Sequence, residues 1–458
     1  MLEIPASESP SEVFSSHNVT RAWISTKKLH PLLGAKFYER PNAGGVDFVV
    51  SEARLNQISS DEIVYTTLQS DDDACALVDE ILNGPRNLSN DQLAQLWIIS
   101  FPGSSSYAFS YSPSTCYQLF LQMAHSIHDA AAQNTVIKTF LDILVHSSTL
   151  EKYIPKGTLE SRLMLHLAIE DLSPSRKYSS ARQRWRLAIA QVIHFRRATT
   201  WKVSSRCHVL VYYAQYTPTY SFTVKQGGHT LPRTITPLTP ETPPVSRTFR
   251  LKFSKSLSER ILTGCREAGI TFGHALSVLS QLAHARVLHR LYARGALSEA
   301  EWNYQIRQPM HQSGPINLRP YLDQEWLSTG GAERVCMAVS FSRRTLPSMP
   351  VAREGSRVLE NPPFDALLSS ARFFHRCRTV KRQTVGLLTH PLQTEFAQIV
   401  SPARLEKSQL HALNWRAHIR AAIEGTRACN LSLSTPPPDE CVLSIACSTV
   451  GDVRISLF

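Results

Sequence analysis

One histidine and one aspartate offer the clearest chemistry in this chain. The segment HSIHD places His125 four positions before Asp129, and this HxxxD spacing occurs once. A histidine on a loop can present one ring nitrogen to a hydroxyl as a general base, and an acid one helical turn later can fix the geometry of the loop. Because the chain has 17 histidines, an HxxxD spacing can also arise by chance. The spacing alone therefore also fits a purely structural loop.

The residues around this pair predict the elements that position it. TCYQLFLQMA (115–124) is a short apolar run that predicts a buried strand. DAAAQNTVIKTFLDILVHSS (129–148) has apolar residues at helical spacing and begins with an acid, which favours a helix start. We therefore expect a strand, a short loop with His125, and a helix.

The rest of the chain alternates in the same way, which predicts α/β sheets covered by helices. We predict helices over 180–197, 256–269, 271–291 and 365–383 and a helical stretch over 388–424, and strands over 204–216, 248–253, 314–322, 334–342 and 441–448. Gly269 is expected to end one helix and Thr271 to cap the next.

Composition narrows the class of protein. Of 458 residues, 43% are hydrophobic and 19% charged, as in folded globular proteins and unlike disordered or coiled-coil chains. No apolar run reaches about 18 residues, and the start MLEIPASESPSEVF lacks the features of a secretory signal. The nine cysteines show no CxxC pair and no zinc-ligand spacing. We therefore expect a cytoplasmic protein with reduced thiols and no metal site.

The chain divides near its middle. A Pro-rich segment, LPRTITPLTPETPPVSR, should be extended because proline lacks a backbone donor. We predict a mobile tail over 1–20, an N-terminal lobe over 21–225, a crossover linker over 226–246 and a C-terminal lobe over 247–458.

The order of these pieces resembles the chloramphenicol acetyltransferase-like superfamily. The strand, HxxxD and helix are followed by ERILTGCREAGITFGHALSVLSQLAHARVL, INLRPYL and STVGDV, so the resemblance runs from about residue 115 to the end. This superfamily includes the plant BAHD acyltransferases, the fungal O-acetyltransferases such as trichothecene 15-O-acetyltransferases, which look most similar, and peptide-synthetase condensation domains. The resemblance implies a two-lobed α/β fold, each lobe a mixed sheet flanked by helices, with an active-site channel between them.

The resemblance also implies roles for individual residues. His125 matches the general base that deprotonates a hydroxyl of a secondary metabolite as it attacks the thioester of an acyl-CoA, with acetyl-CoA the expected co-substrate. Asp129 matches an aspartate of structural role that pairs with an arginine of the other lobe, here Arg319. Transfer would be direct, with no acyl-enzyme and no tightly bound cofactor. We expect a monomer that binds no nucleic acid.

Two further sets of residues are candidates for the site. Ser448 and Thr449 could donate to a thioester oxyanion, and a turn of small residues before Gly451 is the alternative. The formal net charge of +12 fits a phosphorylated ligand or another polyanion. The candidates for the CoA phosphates are Arg343, Arg344, Arg376, Arg378, Lys381 and Arg382, and a solvated basic helix face is the alternative.

Several departures from the superfamily pattern keep other functions open. Ala130 stands where a glycine often follows the aspartate, Ala124 replaces the second histidine of condensation domains, and DFGWG is absent. The chain ends soon after Asp452, so we expect the C-terminal lobe to be short. The alternatives are a catalytically inactive binding protein on the same fold and a condensation-type enzyme that forms an amide or ester.

Overall fold

A computed structural model of the protein describes residues 2–4, 13–40, 46–101, 116–146, 157–164, 166–200, 220–226, 229–235, 251, 253–424 and 445–446. The strands up to residue 200 are β1 (Leu2–Ile4), β2 (Lys36–Glu39), β3 (Val46–Val49), β4 (Ile63–Thr67), β5 (Ala94–Phe101) and β6 (Cys116–Met123). The helices of this N-terminal lobe are α1 (Ser16–Leu29), α2 (Glu52–Asn56), α3 (Asp71–Asn83), α4 (Ala130–Val145), α5 (Leu159–Leu163) and α6 (Ser180–Thr200).

The main sheet of this lobe has the strand order β1-β6-β5-β4. β5 and β6 are antiparallel, with Ile98 opposite Leu119, and β4 runs parallel to β5. Helices α1 and α4 share one core with the sheet, where the rings of Trp23 and Phe140 meet edge to face at 6.1 Å. Both rings are fully buried, and each such burial contributes about 1.5–3 kcal/mol. The predicted strand and helix around His125 are thus confirmed as β6 and α4.

A β hairpin lies at the start of the predicted linker. β7 (Tyr220–Gln226) pairs antiparallel with β8 (His229–Ile235), so the segment 229–235 is a strand and not polyproline. Pro232 is tolerated there because a two-stranded hairpin consists of edge strands, where a missing N–H donor costs little. The predicted strand over 204–216 and the remainder of the linker lie outside the described residues.

The C-terminal lobe, residues 253–446, contains a second small sheet. The sheet is formed by β9 (Met310–Asn317), β10 (Val339–Leu346) and β13 (Ile445–Ala446), and β11 (Arg353–Glu354) and β12 (Arg357–Val358) pair separately with each other. The helices of this lobe are α7 (Lys255–Glu267), α8 (Phe272–Ala293), α9 (Glu299–Gln305), α10 (Gln324–Ser328), α11 (Phe364–Leu367), α12 (Ser370–Leu388) and α13 (Gln393–Glu424). The sheet order is β10-β9-β13, with β9 antiparallel to β10 and parallel to β13.

Local sequence accounts for the ends of α7 and α8. Gly269 has φ +66°, a left-handed conformation that suits glycine, and it ends α7 as predicted. Thr271 then caps α8 in a reciprocal arrangement with His274. α8 and α12 pack beside β10 around Val278, Leu282, Cys377 and Val380. The predicted strand over 248–253 is not formed at residues 251 and 253, which are its described members.

The carboxyl end of α1 lies against both lobes. Arg162 donates to the carbonyl of Lys28 at 2.7 Å, and Arg334 of the C-terminal lobe donates to that of Leu29 at 3.0 Å. Two guanidinium groups thus satisfy carbonyls that a helix end leaves free and oppose its negative dipole.

Among the helices of the described residues, none combines the length and the apolar character that a membrane span needs.

Candidate active site

His125 lies in the turn between β6 and α4, and its side chain is exposed. The loop starts where the N–H of Ala124 donates to Leu93 at 2.8 Å and the N–H of Ile127 donates back to Ala124 at 3.0 Å. His125 Nδ1 lies 2.9 Å from the carbonyl oxygen of His128. A carbonyl oxygen only accepts, so Nδ1 carries the hydrogen, and in the neutral ring Nε2 then has the lone pair. The loop therefore holds the tautomer that a general base needs.

His128 is a scaffold residue of the same turn. Its Nδ1–H donates to the carbonyl of Ala124 at 2.9 Å, and its ring lies 5.5 Å from that of His125. Burial lowers the pKa of His128, and the nearby His125 ring lowers it further, against the opposing effects of the Ala124 carbonyl and of Asp129. The residue is thus kept neutral, and its hydrogen bond helps to close the turn.

Asp129 turns its carboxylate away from solvent and into the protein. As the N-cap of α4, it accepts the N–H of Ala132 at Oδ1, at 2.9 Å. Its Oδ2 accepts from Arg319 Nη1 at 2.8 Å and from the N–H of Ala338 at 2.9 Å. Burial alone would raise the pKa of Asp129, but Arg319 and the two backbone donors together lower it. Asp129 therefore stays ionised and binds the loop to the C-terminal lobe.

Arg319 begins a 3₁₀ turn, Arg319–Tyr321, directly after β9. Its Nη2 donates to the carbonyl of Cys336 at 2.9 Å, and the residue is 5% exposed. A buried ion pair stabilises a protein only when its remaining hydrogen-bonding groups are also satisfied. Here the Asp129 and Arg319 side chains have several such partners, so the pair can hold the two lobes in register.

The proposed phosphate ligands have different environments. Arg376 is a core residue, because its guanidinium donates to Gln281 Oε1 at 2.6 Å and to the carbonyls of Pro347 and Ser348. Arg344 is half-buried and donates to the hydroxyls of Ser277 and Ser342 at 3.1 Å. The guanidinium groups of Arg376 and Arg344 therefore donate to acceptors within the protein.

The remaining basic candidates lie on the surface. Arg378, Lys381 and Arg382 are exposed at positions i, i+3 and i+4 of α12, so they share one face. Lys381 donates to the carbonyl of Gly269 at 2.7 Å, and Arg382 donates to the hydroxyl of Thr379 at 3.2 Å. Arg343 is exposed on β10. Ser448 and Thr449 lie outside the described residues.

A groove between the lobes has a cavity volume of about 400 Å³, within the range of small-molecule sites. Its walls come from the loop at 169–170, the segment that follows β9, the segment 337–341 and one face of α13. Leu318, Met337 and Val339 contribute apolar surface next to Arg319 and Ala338, the two residues that bind Asp129 Oδ2. The superfamily resemblance implies a channel between the lobes, but sequence reasoning did not identify the residues that line this groove because they come from four separate segments.

No group of three or more histidine, cysteine, aspartate or glutamate side chains among the described residues has the geometry of a metal site. Asp73, of the acidic run that begins α3, belongs instead to a capping box with Ser70.

Comparison with known proteins shows the fold. No family model matches the chain, and no curated protein sequence matches it. A solved trichothecene 15-O-acetyltransferase from Fusarium sporotrichioides is similar over 86% of this chain and 67% of its own, with a TM-score of 0.50 and 14% identity. The first condensation domain of the calcium-dependent antibiotic synthetase has a TM-score of 0.46 and 13% identity, over 85% of this chain and 69% of its own.

The class that follows is the mixed α/β, two-lobed fold of chloramphenicol acetyltransferase-like proteins, as predicted. At 14% identity the comparison shows this fold alone. The features of this chain that bear on its activity are the HxxxD loop and the groove, whose lining residues Leu318 and Val339 are sequence neighbours of Arg319 and Ala338.

Proposed function

We propose that the protein is an acyltransferase that moves an acyl group from an acyl-CoA thioester to a hydroxyl of a small molecule, with His125 as the general base. Nε2 of His125 takes the hydroxyl proton as the oxygen attacks the thioester carbonyl carbon. The new C–O bond forms, the C–S bond breaks, and the histidine returns the proton to the departing thiolate. The products are an ester and free coenzyme A.

The single observation that carries this proposal is the hydrogen bond from His125 Nδ1 to the carbonyl of His128. It leaves the lone pair of Nε2 available on an exposed ring, four residues before Asp129, which contacts the C-terminal lobe. The buried Asp129–Arg319 ion pair holds the same loop against the C-terminal lobe. We propose direct transfer without a covalent intermediate, because such a base can act on the acceptor hydroxyl itself.

The acyl donor is proposed to bind with its phosphates near Arg378, Lys381 and Arg382. These side chains form an exposed basic face on α12, and phosphate oxygens are good acceptors for such groups. Arg376 is left out of this proposal because its guanidinium donors serve the core of the lobe. The transferred acyl group is proposed to be acetyl.

The test is the release of free thiol from acetyl-CoA and longer acyl-CoAs when the protein is mixed with a panel of alcohols and amines. We expect acceptor-dependent thiol release by the wild type and a loss of at least about 100-fold for His125→Ala. The matched control is His146→Ala, which removes an exposed histidine at the far end of α4 and should leave the rate unchanged.

Two outcomes would overturn the proposal. One is turnover by folded His125→Ala at the wild-type rate. The other is the absence of thiol release with every donor and acceptor, which would favour a binding protein on this fold. Products formed from amines in preference to alcohols would point to a condensation-type enzyme.

A further inference from the structure

The groove between the lobes has walls of two kinds. Val339 and Phe341 alternate along β10, so their side chains lie on the same face, and Met337 lies two residues before this strand; Met337 and Phe341 are 37% and 47% exposed. Large apolar side chains left exposed on a strand next to a cavity are typical of a ligand surface. The floor is closed by Leu318 and Leu322, each 1% exposed.

The opposite wall is one face of α13. Thr394, Ala397, Gln398 and Ser401 follow the i, i+3, i+4, i+7 spacing of a single helical stripe. The neighbouring residues Leu392 and Phe396 pack instead against Ala190 of α6 and fix the helix there. The Arg186–Glu395 ion pair, in which Glu395 is fully buried, adds to this attachment. The groove therefore has a rigid wall that offers small, hydrogen-bonding side chains.

The charge of the groove is opposite to that of the whole protein. Although the chain has a net charge of +12, none of the described residues that line the groove is basic. Glu170 is the charged residue of the lining, and none of the described residues forms an ion pair with it. A carboxylate beside apolar walls attracts a cation or a hydrogen-bond donor and repels an anion.

We propose that this groove binds a predominantly apolar small molecule that is neutral or cationic, that Glu170 orients it through a hydroxyl or ammonium donor, and that anionic molecules are excluded. The inference rests on the proposed function in one respect, namely that the bound molecule would be the acyl acceptor. The groove is placed for this role, because Leu318 and Val339 directly adjoin the two residues that hold Asp129 of the His125 loop.

The test is direct binding of three probes that share one apolar body. They are 1-naphthylmethylamine, 1-naphthylmethanol and 1-naphthoic acid, measured by ligand-observed NMR at pH 7.5 and physiological salt. We expect the amine and the alcohol to bind, and the acid to bind about tenfold more weakly than the amine. Nonspecific attraction to a basic protein would give the reverse order, so the sign of the preference is decisive.

Three variants complete the design. Glu170→Gln should remove most of the preference for the amine over the acid, whereas Glu259→Gln, an exposed glutamate on α7, should keep it. Ala397→Phe should weaken all three probes because it fills the groove, with the melting temperature as the check on folding. Equal affinity for amine and acid, an unchanged preference in Glu170→Gln, or no binding at millimolar probe would overturn the inference.

The binding test needs no acyl donor, so it separates this inference from the proposed function. Selective binding without thiol release from any acyl-CoA would sink the acyltransferase proposal and leave the groove inference intact. Thiol release with alcohols together with unselective probe binding would do the opposite.

Discussion

Arg319 Nη1 lies 2.8 Å from Asp129 Oδ2, although 190 residues separate them in the chain. The same oxygen accepts the N–H of Ala338, so one carboxylate joins the start of α4 to two segments of the C-terminal lobe. His125 lies four residues before Asp129 on the same turn. The position of the proposed base therefore depends on a contact between the lobes.

Asp129→Asn should destabilise the protein and lower activity at the same time. The substitution leaves the buried guanidinium of Arg319 without its counter-charge, and breaking such a pair typically costs about 3–5 kcal/mol. The measurement is urea denaturation alongside thiol release. Asp47→Asn, which breaks the exposed Arg40–Asp47 pair, is the control and should leave the urea midpoint nearly unchanged. Wild-type stability with no activity would assign Asp129 to the chemistry instead.

The strand, loop and helix around His125 could be predicted because their apolar residues follow the periods of a strand and of a helix. The pairing of Arg319 with Asp129 could be predicted from the superfamily resemblance, but no residue near Arg319 in the sequence indicates it. The two predictions differ in kind, since the first follows from local spacing and the second depends on a contact across 190 residues.

Residues whose role is set by distant partners could not be read from the sequence. Arg376 lies in a basic run, but its partners are Gln281 on another helix and the carbonyls of Pro347 and Ser348, which pull it into the core. His166 and Glu170 have the spacing of a helical pair, yet residues 166–168 are not helical. His166 donates from Nδ1 to the carbonyl of Val335 in the other lobe, and Glu170 lines the groove.

The tautomer of His125 is a prediction that needs no substrate. Nδ1 faces the carbonyl of His128, so the neutral ring should carry its hydrogen there. Long-range proton–nitrogen NMR on protein with labelled histidine would report which nitrogen is protonated, and His125→Ala would identify the signals. A hydrogen on Nε2 would contradict the proposed role as a base, because that nitrogen would have no lone pair to offer.

Acid should destabilise the protein through two buried histidines. Burial lowers the pKa of His30 to about 3, with further lowering by Arg334 and His166, and burial lowers the pKa of His166 to about 4, with Arg334 contributing. The unfolded chain protonates these rings near pH 6.5 and the folded chain does not, so their stabilising contribution is present above pH 6.5 and lost as the pH falls.

The free energy of unfolding should therefore fall by up to about 1.4 kcal/mol per pH unit for each histidine between pH 6.5 and 4. Urea titrations at several pH values would measure the slope in the wild type, in His30→Gln and in the double variant His30→Gln/His166→Gln. The double variant should have the flattest profile. If it kept the wild-type slope, other groups would have to be responsible for the acid sensitivity.

Two glycines should respond to alanine in opposite directions. A Cβ on Gly331 would lie 2.2 Å from ring atoms of Trp326, a distance that forces the ring or the backbone to move. Trp326 packs with Leu172, Leu322 and Ala338, and Ala338 supplies one of the two C-terminal-lobe donors to Asp129. Overpacking of this kind usually costs about 1–3 kcal/mol, and here the strain would reach the His125 loop.

Gly264 lies within α7, where a new Cβ meets nothing within 4 Å. Alanine there should stabilise the protein by about 0.5–1 kcal/mol, because it removes backbone freedom from the unfolded chain and favours the helix. Urea denaturation should show a lower free energy of unfolding for Gly331→Ala and a higher one for Gly264→Ala. Thiol release should fall only in Gly331→Ala. Wild-type stability of Gly331→Ala would mean that the turn at Gly331–Glu333 yields easily, and Trp326 would then not be a rigid support for the segment that holds Asp129.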